Sequence, residues 1–291
     1  MKTKTKKIKL KRRQPNRSRG GDIGVYIMLI TFGVLFAIPL VYAVCQAFKP
    51  LDEIYKFPPT IFVQNPTLNN FGDLFVIMGQ SWVPFSRYIF NTVFITAVGT
   101  AGQLLIASMG AYVLAKYDFP GSRKLFAMIT TAIMFNGYVT QIPLYLVMAK
   151  LGWIDTFIAP IIPALAAPMG LFLMKQFMEG IPDSLLEAAK IDGAKEWGIF
   201  TKIVMPNVKP AWLTLIIFSV QNLWNNPQST YIYSEELKTL PYALSQVTAG
   251  GVSRAGAGAA VTLVMMIVPI GIFIFSESNI LETMASSGIK E

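Results

Sequence analysis

Six stretches of this chain are candidates to cross a bilayer as helices, and none of them contains an Asp, Glu, Lys or Arg. They cover residues 24–48, 88–115, 125–149, 156–174, 211–226 and 255–275, the fifth being the shortest. Crossing the hydrocarbon core takes about 20 apolar helical residues, and the backbone polar groups inside it must be satisfied within the segment. The expected fold class is therefore all-α, a polytopic membrane protein with six transmembrane helices. Composition agrees: 53% of the residues are apolar and 14% are charged, against about 25% charged in an ordinary soluble domain.

Charge is distributed as unevenly as hydropathy. The formal net charge is +9, yet ten of the 25 Lys and Arg precede Gly20, where no acid occurs. Residues 1–22 are read as a basic cytoplasmic tail near anionic lipid and residues 23–291 as the transmembrane domain. A nucleic-acid partner is not expected, because such proteins spread basic residues over a folded face. With the N-terminus inside, the inner segments hold 19 Lys and Arg and the outer ones six, so both termini are expected in the cytoplasm. The first apolar run is longer than a signal-peptide core and no small-x-small cleavage site closes it, so it is read as a retained span.

The single Cys45 and the absence of His exclude an internal disulfide, the usual Cys and His zinc sites and histidine acid–base chemistry. No metal site or catalytic residue is expected, and an intramembrane enzyme would lack a nucleophile motif such as Gly-x-Ser-x-Gly. The spans also lack the intramembrane carboxylate, His or Lys of an ion-coupled carrier. No Gly-Lys pair is present to end a phosphate-cradling loop, so any energy from ATP must come from another chain. The polar groups at membrane depth are neutral. Asn91, Asn136, Tyr138, Gln141, Gln221 and Asn225, with Gln103 and Asn222 beside them, are candidates to line a path for an uncharged polyhydroxylated solute. Each of these groups could equally hold helices together. Pro39, Pro143, Pro160, Pro163, Pro168 and Pro269 imply kinked helices, and Gly99, Gly102, Gly110 and Gly256 imply close helix packing.

Residues 181–206, between the fourth and fifth spans, carry a different pattern. Ser184 and Glu187 have capping-box spacing, so a short helix is expected to start there, with Gly193 in the left-handed conformation that ends it. A second amphipathic segment, with Trp197, Phe200, Thr201 and Val204 near one face, is expected to close at Pro206. Two short helices joined at an elbow suit docking into a groove on another protein; an interfacial helix lying on lipid would read similarly.

Glu187-Ala188-Ala189, three residues, Gly193, nine residues, Ile203, one residue and Met205-Pro206 together resemble the EAA loop of binding-protein-dependent ABC transporter permeases, with Met205 where Leu is common. Phe119-Pro120-Gly121-Ser122-Arg123-Lys124, Gln141-Ile142-Pro143-Leu144-Tyr145 and Ser287-Gly288-Ile289-Lys290 are similar to segments of the maltose-type carbohydrate branch. Leu223-Trp224-Asn225-Asn226 resembles a Ser-Trp-Asn-Asp stretch of that branch, with two substitutions. The resemblance extends over nearly the whole chain after the tail.

It implies the type I ABC importer permease fold and a bacterial inner (cytoplasmic) membrane location. The implied role is the non-enzymatic pore subunit of an ATP-driven carbohydrate importer, its solute an oligosaccharide. The implied partners are an ABC ATPase dimer that binds the ATP and Mg, a second and distinct permease, and an external solute-binding protein. Glu187, Ala188, Ala189, Asp192, Gly193 and Pro206 would form the ATPase-coupling element. The outer loop with Thr248, Gly250, Gly251 and Ser253 would touch the binding protein. A non-sugar solute, such as glycerol phosphate or an amino acid, and a self-sufficient secondary carrier are the alternative readings.

Overall fold

The computed structural model describes residues 19–135 and 137–287. The tail before Arg19, the candidate path residue Asn136 and the terminal Gly288, Ile289 and Lys290 lie outside the described residues. Helices account for the regular structure: α1 (Arg19–Phe48), α2 (Leu51–Ile54), α3 (Asn69–Gly79), α4 (Phe85–Lys116), α5 (Ser122–Ile133), α6 (Gly137–Lys150), α7 (Ile158–Leu165), α8 (Pro168–Glu179), α9 (Asp183–Ile191), α10 (Glu196–Ile199), α11 (Met205–Asn207), α12 (Lys209–Asn225), α13 (Leu240–Thr248) and α14 (Ala255–Ser287). Gly21–Phe48, Phe85–Lys116, Ile158–Glu179 and Gly251–Glu277 are each long and apolar enough to cross a membrane; counting two bent pairs as one span each raises the number to six.

Helix α4 is the hub, packed by α7, α8 and α12, while α14 lies against α12 and α1 lies outermost against α14. The apolar window of α1 has no buried residue, as expected of a helix whose surroundings are lipid tails rather than protein. The glycines of α4 explain the close approach of its neighbours. A Cβ on Gly99 would stand 2.6 Å from Leu223, and one on Gly102 would stand 2.5 Å from Leu165. Those positions are therefore filled by the side chains of α12 and α7 instead.

Two of the expected spans are not straight rods, and a third follows a sharp bend. Residues 125–149 form α5 and α6, turned 109° from one another. Thr130 and Thr131 donate their hydroxyls back to the carbonyls of Phe126 and Ala127, a pattern that bends helices, and Gly137 starts α6 without a side chain to favour continuation. The fourth span runs to Glu179, beyond its expected end, and breaks at Ala166 and Ala167, since Pro168 at the first turn of α8 cannot donate to the preceding turn. That extension carries Lys175 into the bundle, buried, paired with Glu179 and 4.0 Å from the Phe126 ring centre. The fifth expected span is α12, set at 81° to the 196–207 segment.

Candidate functional site

The elbow is built from α9, α10, a π turn over Phe200–Val204 and α11. Its starting cap differs from expectation. Pro182 occupies the N-cap position and Asp183 is the first helical residue, with no side-chain cap bond. Ser184 and Glu187 therefore lie inside the helix. The fixed φ of Pro182 presets the extended entry, and Lys116 holds the first turn by donating to Asp183 Oδ1 at 2.7 Å and to the Ile181 carbonyl. Gly193 has φ +80, the left-handed turn that reverses the chain after α9.

The second arm does not close at Pro206. Met205 donates to the Phe200 carbonyl, one residue wider than an α turn, and Pro206 sits in the first turn of α11. A proline lacks a donor that the first turn leaves unused anyway. The arm ends instead at Val208, ahead of Pro210 in the first turn of α12.

One face of the elbow is buried and the other is open. Leu186, Ala189, Ile199, Phe200 and Val204 join the core beneath α4 and α8 with Tyr112, Met174 and Met178. Glu187, Ala188, Asp192 and Gly193 are exposed, Ile191 is 86% exposed and Trp197 60%. Large apolar side chains beside a small Ala, on a helix otherwise seated in the protein, make a surface suited to another protein.

Charged and phenolic groups brace the two arms to the end of α4. Lys190 Nζ lies 2.8 Å from Glu196 Oε1 across the Gly193 turn, and Tyr112 donates its hydroxyl to Glu196 Oε2 at 3.1 Å. The Lys190 ammonium beside Glu196, with the Tyr117 hydroxyl, holds the Glu196 carboxyl below the usual carboxylate range. A depressed carboxylate stabilises the fold above its unfolded pKa of about 4.3 and loses that contribution as pH falls through the folded value. The brace is accordingly intact at neutral pH and released only in acid. Glu196→Ala at pH 7 is expected to speed amide hydrogen exchange over residues 190–199 severalfold with helix content retained; unchanged exchange would show that the brace carries no load. Sequence reading missed these braces, because nothing in the spacing ties residue 112 or 116 to residues 183 and 196.

The candidate path residues fall in different places. Helix α12 presents Gln221 and Asn225, at i and i+4, on one face, and Asn222 on another, beside Asn226 in the extended residue that follows the helix. Gln221 and Asn225 line a cavity of about 500 Å³ that also includes Thr248, so one expected binding-protein contact joins two path residues. Asn222 and Asn226 line a second cavity of about 490 Å³ with Gln103, Gln228 and Tyr231. The described residues lining both cavities carry no charge. Tyr138 is 83% exposed, and Gln141 donates to the Thr230 hydroxyl at 3.2 Å; neither lines these two cavities.

Asn91 lines neither of these two cavities. It is fully buried and donates to the carbonyls of Glu236 at 2.8 Å and Lys238 at 2.9 Å, which spends its amide on holding the loop before α13. Asn91→Ala is expected to lower stability by about 1–3 kcal/mol, since it removes two hydrogen bonds to part-buried carbonyls worth about 0.5–1.5 kcal/mol each, without changing solute preference; thermal unfolding in detergent checks the first and competition uptake the second.

At the tip after α13, only Gly251 of the glycine pair has positive φ, at +70. The Arg254 side chain folds over Gly250. Ser253 donates to the Gly250 carbonyl and Thr248 to that of Ser245. Tyr55, from the loop after α1, donates to Val252 O at 3.1 Å. Across the same end of the bundle, Asp155 adopts φ +61 and its Oδ1 accepts the amides of Tyr233 at 2.9 Å and Ser234 at 2.8 Å. The Ser234 hydroxyl and amide hold the Asp155 carboxyl below its ordinary value.

A model of the family described as binding-protein-dependent transport system inner membrane component matches residues 17–283. An arabinooligosaccharides transport system permease protein of Halalkalibacterium halodurans is 31% identical over 274 residues, covering 90% of this chain and 96% of that one. A polygalacturonan/rhamnogalacturonan transport system permease protein of Bacillus subtilis is 29% identical over 225 residues, covering 77% and 76%. Among solved structures, a bacterial ABC transporter involved in the import of the acidic polysaccharide alginate superposes with TM-score 0.75 at 22% identity, covering 91% of this chain and 99% of that chain. That likeness shows the fold.

Proposed function

We propose, from the premise that this chain belongs to the family of binding-protein-dependent transport system inner membrane components, that it is the pore subunit of an ATP-driven carbohydrate importer. The relatives named above are permease proteins of transport systems for arabinooligosaccharides and for polygalacturonan/rhamnogalacturonan. Two cavities lined by neutral amides and no charge favour a neutral oligosaccharide within that class. They also speak against glycerol phosphate or an amino acid, whose charges would be desolvated there without a partner.

The observation that carries the coupling role is the elbow, with its outer face open and its inner face pinned to α4 through Lys116, Tyr112 and Glu196. In this reading a separate ATPase dimer, which binds the ATP and Mg, seats Glu187, Ala188, Asp192 and Gly193. Its closure displaces α9, the braces pass the motion to α4, and the rigid-body shift alternates access to the path. Both termini then face the cytoplasm of a bacterial cell, and the outer loop with Thr248, Gly250, Gly251 and Ser253 faces the solute-binding protein. A second, distinct permease completes the pore.

The test is purification of the chain from its native membranes in mild detergent, followed by uptake in liposomes. Recovery of an ATPase, a second permease and a binding protein, with uptake of a neutral oligosaccharide only when ATP is supplied, is the expected result. Recovery of the chain alone, transporting without ATP, would replace this reading with a secondary carrier.

A further inference from the structure

Three tyrosines at the end of the bundle that bears Asp155 have no part in the mechanism above. Tyr231 and Tyr145 are stacked, their ring centres 6.4 Å apart and their planes within 20°, and the Tyr233 hydroxyl lies 3.3 Å from that of Tyr145 while donating to the Thr230 carbonyl at 3.0 Å. Exposure grades along the series: Tyr233 is 55% exposed, while Tyr145 and Tyr231 are half-buried. Tyr231 also forms part of the wall of the cavity lined by Gln103, Asn222 and Asn226. The three rings therefore run from open surface to a neutral amide-lined cavity.

The backbone that presents them is anchored from two sides. Asp155 accepts the amides of Tyr233 and Ser234 through one carboxylate oxygen, and its own amide donates to the Tyr231 carbonyl at 2.8 Å. Gln141, one turn before Tyr145, donates to the Thr230 hydroxyl. A residue at positive φ costs conformational energy, so Asp155 holds this loop in one shape at some cost to itself.

We propose that Tyr233, Tyr145 and Tyr231 form a stacking ladder that receives a neutral oligosaccharide at the outer face and passes it, ring by ring, to the amide-lined cavity. The negative face of a phenol ring attracts the weakly positive C–H face of a pyranose or furanose, and the phenol hydroxyls exchange hydrogen bonds with sugar hydroxyls. Successive weak platforms favour passage over capture. The ladder rests on the carbohydrate-importer reading, and the experiment separates the two.

The complete transporter in liposomes, with its ATPase and binding protein, is assayed for uptake of arabinotriose, xylotriose and maltotriose. Tyr233→Ala, which removes an exposed ring and leaves no cavity, is compared with Tyr233→Phe, and Tyr145→Ala with Tyr145→Phe. The expected result is a severalfold or larger rise in half-saturating sugar for each Ala variant, with the Phe variants close to the unsubstituted protein and ATP hydrolysis still stimulated by the binding protein. Unchanged half-saturation in Tyr233→Ala overturns the ladder while leaving the importer standing. Loss of binding-protein stimulation in Tyr233→Ala also overturns it, since the ring is then a docking contact. ATP-independent uptake by the unsubstituted chain overturns the importer reading and the ladder with it.

Discussion

Gly193→Trp is expected to abolish sugar uptake while the partner ATPase goes on hydrolysing ATP and the chain still inserts and assembles. Gly193 sits at φ +80, and a Cβ built there meets no atom of this chain within 4 Å. The substitution therefore leaves the fold of the bundle unobstructed. Its first effect is conformational: a non-glycine residue in the left-handed region costs about 1–2 kcal/mol, and the elbow relieves that cost by changing the angle between α9 and α10. Its second effect is on the open side, where the indole occupies the space a docked ATPase requires. An energy of this size shifts a two-state lever by a factor of about 5–30, so uptake per ATP hydrolysed should fall by at least that much. Gly193→Ala separates the two effects, because Ala bears the cost of the left-handed region without filling the interface. Near-normal uptake in the Ala variant and loss in the Trp variant places the cause in the docking surface; loss in both places it in the turn. Normal uptake by Gly193→Trp would show that the elbow does not transmit the motion.

What the sequence discloses about this chain follows the range of the forces involved. Uncharged runs of about 20 residues and the excess of Lys and Arg on one side are properties of a segment and its solvent, and they are readable without tertiary information. Gly193 is readable for the same reason, since a left-handed turn after a short helix is a local requirement. The cap of α9 is not. Its spacing fits a capping box on Ser184, but Pro182 and Lys116, the latter 67 residues away from Asp183, fix the cap two residues earlier. The break between α5 and α6 is likewise hidden, because Thr130 and Thr131 count as tolerable in an apolar run until their hydroxyls are seen turned onto the preceding carbonyls.

Among the polar candidates, composition alone gives Asn91, Gln221 and Asn225 equal standing. Only the packing shows Asn91 consumed by the backbone of residues 236 and 238, and the two α12 residues open to a cavity. The turn at Gly193 was legible from one motif, but Ala189 of the same motif, expected in the coupling element, is buried in the core, and the braces and the Asp155 loop depend on contacts between residues far apart in the chain.

Gly256→Ala should be among the most destabilising single-methyl additions in this protein. A Cβ at Gly256 would collide with the Asn70 amide, reaching its Oδ1 and standing 2.9 Å from its Cγ. Asn70 cannot swing aside cheaply, being buried and short, with its Nδ2 donating to the carbonyls of Ala47 at 2.9 Å and Lys49 at 2.7 Å. Those bonds tie α3 to the end of α1, and Gly256 brings the start of α14 against the same knot. Either the amide moves and leaves two carbonyls without their donor, or α14 backs away from α3 and uncovers the core around Leu74, Met78 and Ala257. Overpacking costs about 1–3 kcal/mol and each orphaned buried group about as much again, so a loss of roughly 2–5 kcal/mol is expected, read as a lower midpoint of thermal unfolding in detergent. A double-mutant cycle makes the cause specific. In an Asn70→Ala background the obstruction is gone, and Gly256→Ala should add little, giving a strongly non-additive pair. Additive losses would mean that the small residues at the start of α14 serve some contact other than this knot.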